Sequence, residues 1–314
     1  MINLDQLLND ALRASLQGLE EERIAALARR RRNLIITAAI GLPIVGVVHV
    51  LAGGDATLFT AFFVFTVGLG VYKYANSGFE KTFKDKLGNV LLQRIDESLT
   101  LTPEAGIMER EFRASRLFQK RPDRYRTEDL VAGKFGQTEV RFADVHAQDE
   151  RRGQNNKKRH VDIFRGVLFV ADFHKHFAQS VILRTDRAEA MFGGLGRALQ
   201  RGSVGDAQRI TLEDPEFENL FAVYAHDETE ARYLLTPNMM RRFVELSGRV
   251  GPFSASFHED QLYIAIPRER GLFEVDMDRS VLDLAAVREV VEDVYLFRGL
   301  VEALDLNTRI WTKE

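Results

Sequence analysis

The 314-residue chain contains no cysteine. That absence excludes a disulfide framework, a thiol nucleophile and any metal site built on sulfur. An excess of charge of one sign is also missing. Against 46 Asp and Glu stand 43 Lys and Arg, for a formal net charge of −3, which exerts no overall pull on nucleic acid. Nor does a composition that is 45% hydrophobic describe a disordered or collagen-like chain. What is present is an uneven spread of the apolar residues.

Two uncharged runs lie close together. Residues 34–51 (LIITAAIGLPIVGVVHVL) cover 18 positions and residues 56–72 (ATLFTAFFVFTVGLGVY) cover 17, without an Asp, Glu, Lys or Arg in either. A helix needs about 20 apolar residues to cross a bilayer core, and roughly 17 suffice. Only Ala52, Gly53, Gly54 and Asp55 separate the runs, which is turn chemistry and too short for a folded loop. The pattern predicts a transmembrane helical hairpin. Arg29, Arg30, Arg31 and Arg32 precede the first run; Lys73, Lys81, Lys84 and Lys86 follow the second; the turn carries no cation. Cations stay on the cytoplasmic side, so both termini are expected in the cytoplasm and the turn outside. The arginine block and run lengths argue against a buried hairpin in a soluble core, and the long charged region before the first run argues against a cleaved leader. Pro43 is expected to kink the first helix. Gly41, Gly46, Gly68 and Gly70 are candidates for close helix approach, and His49 for a solvated place at the outer interface.

Flanking these runs, residues 3–28 bring Leu8, Leu12, Leu16, Leu19 and Leu27 near helical spacing, suited either to a partner helix or to the protein's own second domain. Phe79, Phe83, Leu87, Val90, Leu91 and Ile95 continue the second helix as a stalk. Thr102, Pro103 and Glu104 read as the start of a helix reaching about Phe118. A basic stretch then includes Arg110, Arg113, Arg116, Lys120, Arg121, Arg124 and Arg126. A second holds Arg151, Arg152, Lys157, Lys158, Arg159 and His160 in a polar, loop-like setting. Near an inner leaflet these would attract anionic lipid or hold an acidic partner. The interleaved Glu109, Glu111 and Asp123 favour a solvated face instead. No RNA- or DNA-binding module accompanies them, so nucleic acid is not the expected partner.

From Tyr125 onward the pattern turns to strands: residues 138–145, 161–173, 180–183, 209–212 and 220–224, a hairpin of 253–257 with 262–266, and 272–275. Helices are expected over 187–200, 229–235, from the Thr236-Pro237 cap to Leu246, and from 284 to 304. The fold class is therefore α+β: a two-helix transmembrane hairpin followed by a mainly antiparallel sheet domain with packed helices. The expected domains are a cytoplasmic N-terminal helix (1–32), the hairpin (33–75), a helical stalk (76–122) and a cytoplasmic α+β domain (123–314).

Chemistry is sparse. Asp172, His174 and His176 alternate, so on a regular strand they share a face and are weak candidates for a metal site. A polar strand edge, with Phe173 and Phe177 on the core side, is the plainer reading. Gly193, Gly194 and Gly196 match neither the Walker spacing nor the dinucleotide fingerprint. Gly133, Lys134 and Gly136 read as a turn between helix and strand. The run Glu213, Asp214, Glu216 and Glu218 around Pro215 reads as a capped surface turn rather than an acid–base pair. No catalytic residue and no cofactor are expected.

The strings YRTEDLVAGKFGQTEVRFADVHA (125–147), FRGVLFVADFHKHF (164–177), LEDPEFENLFAVYAHDETEARYLLTPNMM (212–240) and LDLNTRIW (304–311) together resemble a bacterial family known as domain of unknown function 3137. The preceding hydrophobic hairpin fits that family's arrangement. The resemblance implies an inner-membrane protein of unassigned activity, often encoded beside LemA-type membrane proteins, and it supplies no catalytic residues. His174 stands where the family pattern has asparagine, which weighs against a family-wide metal role. Two functions remain open. One is a membrane-anchored interaction or scaffold module with the bilayer and another membrane protein, LemA-type by resemblance, as partners. The other is a membrane-tethered metal-dependent enzyme using the Asp172, His174 and His176 face.

Overall fold

The computed structural model describes residues 10–152, 158–185, 203–204 and 207–307. The chain divides into two compact units, Met1–Leu91 with Phe273–Val290 and Leu92–Leu272 with Val291–Glu314.

In the first unit, α1 (Asp10–Ala52) and α2 (Gly54–Phe83) form an antiparallel helical hairpin. From Asp10 on, the leucine-spaced stretch and the first apolar run are one uninterrupted helix, with Pro43 inside it. Gly53 makes the turn at φ 78°, a left-handed conformation that favours glycine. Both helices are long and apolar enough to cross a membrane. The 18-residue windows that qualify have mean hydropathies of 2.4 and 1.6, and only 6% and 0% of their residues are buried. A soluble core helix buries such a window; these expose Ile40, Leu42, Val50, Phe59, Phe62 and Phe63 instead. Polar groups inside the runs satisfy themselves: Thr37 and Thr60 donate to the carbonyls of Asn33 and Ala56, four residues back, at 2.9 and 2.8 Å. Of the four glycines, Gly41 marks the close approach, since a Cβ there would lie 2.4 Å from Val64 Cγ1. Gly46, Gly68 and Gly70 have open space beside them. After α2 a π-helical turn (Lys84–Gly88) leads into α3 (Asn89–Ile95), so the chain stays helical as far as Ile95.

The second unit is an eight-stranded sheet. Its strands are β1 (Thr100–Thr102), β2 (Arg124–Phe135), β3 (Thr138–Arg152), β4 (Lys158–Arg184), β5 (Ser203–Val204), β6 (Ala207–Ile210), β7 (Ala222–Ala225) and β8 (Ser254–Pro267). The order is β1-β2-β3-β4-β7-β6-β5, with β8 also on β4, and every pairing is antiparallel. The helices are α4 (Glu109–Ala114), α5 (Pro215–Leu220), α6 (Glu228–Leu234), α7 (Pro237–Val250) and α8 (Leu284–Ala303). The expected α+β class, with an antiparallel sheet and packed helices, is the observed one.

One face of β3 and β4 buries Ala143, Val145, Ala147, Phe164 and Leu168 against Ile107, Phe112 and Leu117. On the other face, Phe297 of α8 stacks on Phe142 (centroids 4.2 Å apart) and Phe169 (5.7 Å). Burial on both faces explains why β4 reads as a continuous apolar run. The caps are as read: Asp214 accepts from the amides of Glu216 and Phe217 at 3.0 Å, and Thr236 from Met239 at 3.3 Å.

Several local expectations differ. Thr100–Thr102 is a strand rather than the approach to a helix, because Leu101 is buried between exposed threonines and pairs with Val131. Gly133 lies within β2, leaving Gly136 and Gln137 as the turn. The runs 161–173 and 180–183 belong to one strand, β4, and the supposed hairpin 253–266 is the single strand β8 running along it. Of the turn-like residues His258–Gln261, Glu259 and Gln261 keep pairing with β4, with Glu259 at φ 54° where the register shifts. Residues 272–275 form no strand. The expected helix 187–200 and its Gly193, Gly194 and Gly196 lie outside the described residues.

Candidate functional site

A polar cluster of the first unit joins the cation-bearing flanks of the two apolar runs to residues 276–281. Arg30, in the four-arginine block, turns inward while its neighbours do not. Its Nη1 donates to Asp278 Oδ2 at 3.3 Å and to Asn76 Oδ1 at 2.9 Å, and its Nη2 pairs with Asp278 Oδ1. The guanidinium carbon sits 4.7 Å from the centroid of the Tyr72 ring. Tyr72 in turn donates its hydroxyl to Asp278 Oδ2 at 3.1 Å. The Arg30 guanidinium, helped by that hydroxyl, holds the Asp278 carboxyl below the usual aspartate range.

One helical turn or more toward the N-terminus, Glu20 and Arg23 form a second anchor. Both are buried, and the guanidinium grips both carboxylate oxygens at 2.8 and 2.9 Å. Arg23 Nη1 also donates to the Met277 carbonyl at 2.8 Å, and Glu20 accepts from the Val281 amide at 3.0 Å. Arg23 therefore lowers the affinity of Glu20 for its proton. Chemically this is fastening: Arg23 Nη1 and Glu20 Oε2 each hold one backbone group of the loop against α1, and the other polar atoms bond within the pair. The spacing of Glu20 and Arg23 is visible in the sequence, but Asp278 lies 248 residues from Arg30 and has no local signal.

The remaining flanking residues stay outward. Arg29, Arg31, Arg32 and Lys73 are exposed, and no carboxylate pairs with them among the described residues. The basic stretches are partly neutralised. Lys120 meets Asp149 at 2.6 Å, Arg121 meets Glu109 at 3.4 Å and Lys158 meets Glu150 at 2.8 Å. Arg113, Arg116 and Arg159 are exposed; Lys157 lies outside the described residues.

Around the proposed metal face, His176 is exposed and its Nδ1 lies 3.0 Å from Asp260 Oδ1. The side chain of His174 lies outside the described residues. Phe173 and Phe177 are buried, on the core side. The β4–β8 register shifts between Asp172 and Phe177. Nearby, Ser180 Oγ and His258 Nδ1 are 3.0 Å apart, and burial lowers the His258 pKa. No group of three His, Asp or Glu able to hold a metal occurs among the described residues.

Residues 162–306 match the family model described as protein of unknown function (DUF3137). The match takes in a little under half of the chain. The family read from the sequence strings is the family found, and the matched segment begins inside β4 and ends just past α8. Among curated proteins, the chain is similar to nitrogen regulatory protein P-II of Rhizobium leguminosarum bv. viciae and of Rhizobium meliloti (strain 1021). Each is 32% identical over 59 residues, which is 19% of this chain and 53% of the relative. The chain thus spans about half the length of the curated relatives it matches. Among solved structures, the crystal structure of the mycobacterial trehalose monomycolate transport factor A, TtfA, aligns with 72% of this chain and 93% of its own. The TM-score is 0.34 and the identity 11%, below the level of a shared fold.

Proposed function

We propose that this is a membrane-anchored protein of the bacterial inner membrane. The helical hairpin spans the bilayer, both termini are cytoplasmic, and the sheet domain serves as an interaction or scaffold module. The observation carrying this reading is the exposure of both apolar windows, only 6% and 0% buried, in helices that end in cations on one side and a cation-free turn on the other. The DUF3137 match is consistent with a protein of unassigned activity. The expected partner is another membrane protein, LemA-type by family resemblance.

Because the chain has no cysteine, each engineered thiol is the only one present. Gly54→Cys is expected to react with an impermeant maleimide from outside the inner membrane, and Lys134→Cys only after the membrane is opened. Labelling of Lys134→Cys from outside overturns the topology, and release of the chain by carbonate washing overturns the anchor. Crosslinking in native membranes, followed by partner identification, tests the scaffold role. Recovery of the uncrosslinked chain alone counts against it.

A further inference from the structure

The two basic stretches, separate in sequence, meet on one face of the sheet. Arg124 and Arg126 of β2 lie opposite Gln148 and His146 of β3, and these lie opposite Asp162 and Arg165 of β4. Directly paired residues share a face, and residues two apart on a strand return to it. The register shift between Ala147 and Gln148 gives β4 one extra residue, which keeps Asp162 and Arg165 on the same side although they are three apart. Beyond them β3 and β4 continue as a two-stranded arm in which Arg152 faces Lys158.

Among the described residues this face has no apolar cover. Phe142, two strand steps before His146, is buried under Phe297, but Arg124, Arg126, Arg152, Lys158 and Arg165 are all exposed. The opposite side of the same strands carries the buried Ala147 and Phe164, so the core lies behind the charged face. Four acids share this face by the same register, Glu128, Asp144, Glu150 and Asp162. Glu128 is exposed two residues from Arg126, Asp144 accepts from the Leu272 amide, and the other two are occupied. Asp162 Oδ1 is 2.8 Å from both His146 and Gln148, and Glu150 pairs with Lys158. Among the described residues no carboxylate pairs with Arg124, Arg126, Arg152 or Arg165. Arg152 and Lys158 stand directly across two strands, and of the two Lys158 is the one that Glu150 neutralises.

We propose that this three-stranded basic face is a docking surface for the anionic headgroups of a lipid bilayer. The inference rests on the anchored reading above. Cations spread over an open sheet suit a plane of separate phosphates, and the exposed apolar helices of the same chain supply the bilayer. Arg113, Arg116 and Arg121, singled out by sequence, are not part of it.

The test uses the full chain carrying Gln148→Cys with an environment-sensitive fluorophore. It is reconstituted in nanodiscs of phosphatidylcholine alone or with phosphatidylglycerol, each containing a headgroup-quencher lipid. Quenching is expected with phosphatidylglycerol, to be lost at high salt. Each of Arg124→Gln, Arg126→Gln, Arg152→Gln and Arg165→Gln is expected to lower the docking equilibrium constant by about fivefold, while the corresponding Arg→Lys changes retain it. Equal quenching in both discs overturns the proposal, as does loss on Arg→Lys as complete as on Arg→Gln. Relief of quenching by a single-stranded oligonucleotide at lower charge concentration than free phosphatidylglycerol vesicles also overturns it, in favour of nucleic acid. Release of the chain by carbonate indicts the anchor instead. In that case, binding of the labelled chain to added phosphatidylglycerol vesicles still decides the face.

Discussion

The carboxylate of Asp278 is held from two sides, by the guanidinium of Arg30 and by the hydroxyl of Tyr72, whose ring also lies under that guanidinium. Asp278→Asn is expected to weaken this contact by about 1 kcal/mol, since Asp278 is half exposed and the pair is screened. Tyr72→Phe should cost about the same through its single hydrogen bond. Protection of residues 276–281 from proteolysis, in purified full chain, reads both. Because Arg30 depresses the Asp278 pKa, the contribution is complete above the ordinary aspartate value of about 3.9. It is lost as pH falls through the lower folded value. The contact is therefore expected to survive mild acidification, and Asp278→Asn to abolish whatever acid sensitivity it has.

Glu20 and Arg23 should behave differently because both are buried. Arg23→Ala strands a carboxylate among buried neighbours and is expected to cost roughly 3 kcal/mol. Replacing both residues with leucine should recover much of that cost, although the bonds to Met277 and Val281 are lost. Thermal unfolding of the full chain in detergent compares the variants. A double variant no more stable than Arg23→Ala would show that the loop bonds, not the stranded charge, dominate.

Gly41 is the point where α1 meets the branched side chain of Val64. Gly41→Leu is expected to spread the hairpin, because valine has little rotamer freedom with which to move aside. Gly46→Leu, with open space beside it, should not. Adding Val64→Ala to a Gly41→Ala variant should restore the approach. Disulfide formation between engineered cysteines on the two helices measures the separation in each case.

These contrasts show what the sequence could convey. The apolar runs, the Gly53 turn and the caps at Asp214 and Thr236 are local signals, and each appears where its residues predicted. Strand identity was harder. His258, Glu259, Asp260 and Gln261 look like a turn, yet β8 runs straight through them because pairing with the long β4 outweighs local preference. The arginines before the first apolar run are legible as a block, but which one turns inward is not. That choice is made by Asp278, Tyr72 and Asn76, whose proximity depends on the tertiary fold. The basic face was hidden in a similar way, since register rather than spacing places Arg126 beside His146 and Arg165.

His258 offers a pH-dependent reading of the sheet unit. Burial lowers its pKa, with Arg116 and His176 adding to the effect and Glu259 opposing it. His258 Nδ1 lies 3.0 Å from Ser180 Oγ. Its stabilising contribution is thus complete above the unfolded value of about 6.5 and declines as pH falls toward the depressed folded value. Unfolding midpoints measured from pH 7.5 down to pH 5 are expected to fall. His258→Gln should flatten that dependence, and an unchanged slope would assign it to other groups.

The separations recorded at the loop set an order of events during synthesis. Val281 lies 261 residues from Glu20, and Asp278 lies 248 from Arg30. At about 5–20 residues per second, α1 therefore waits tens of seconds for the segment that fastens it. Throughout that interval the ribosome has delivered the arginines without their carboxylate. The hairpin must find its place unaided, and the loop closes on it afterwards, as a late latch rather than an early guide.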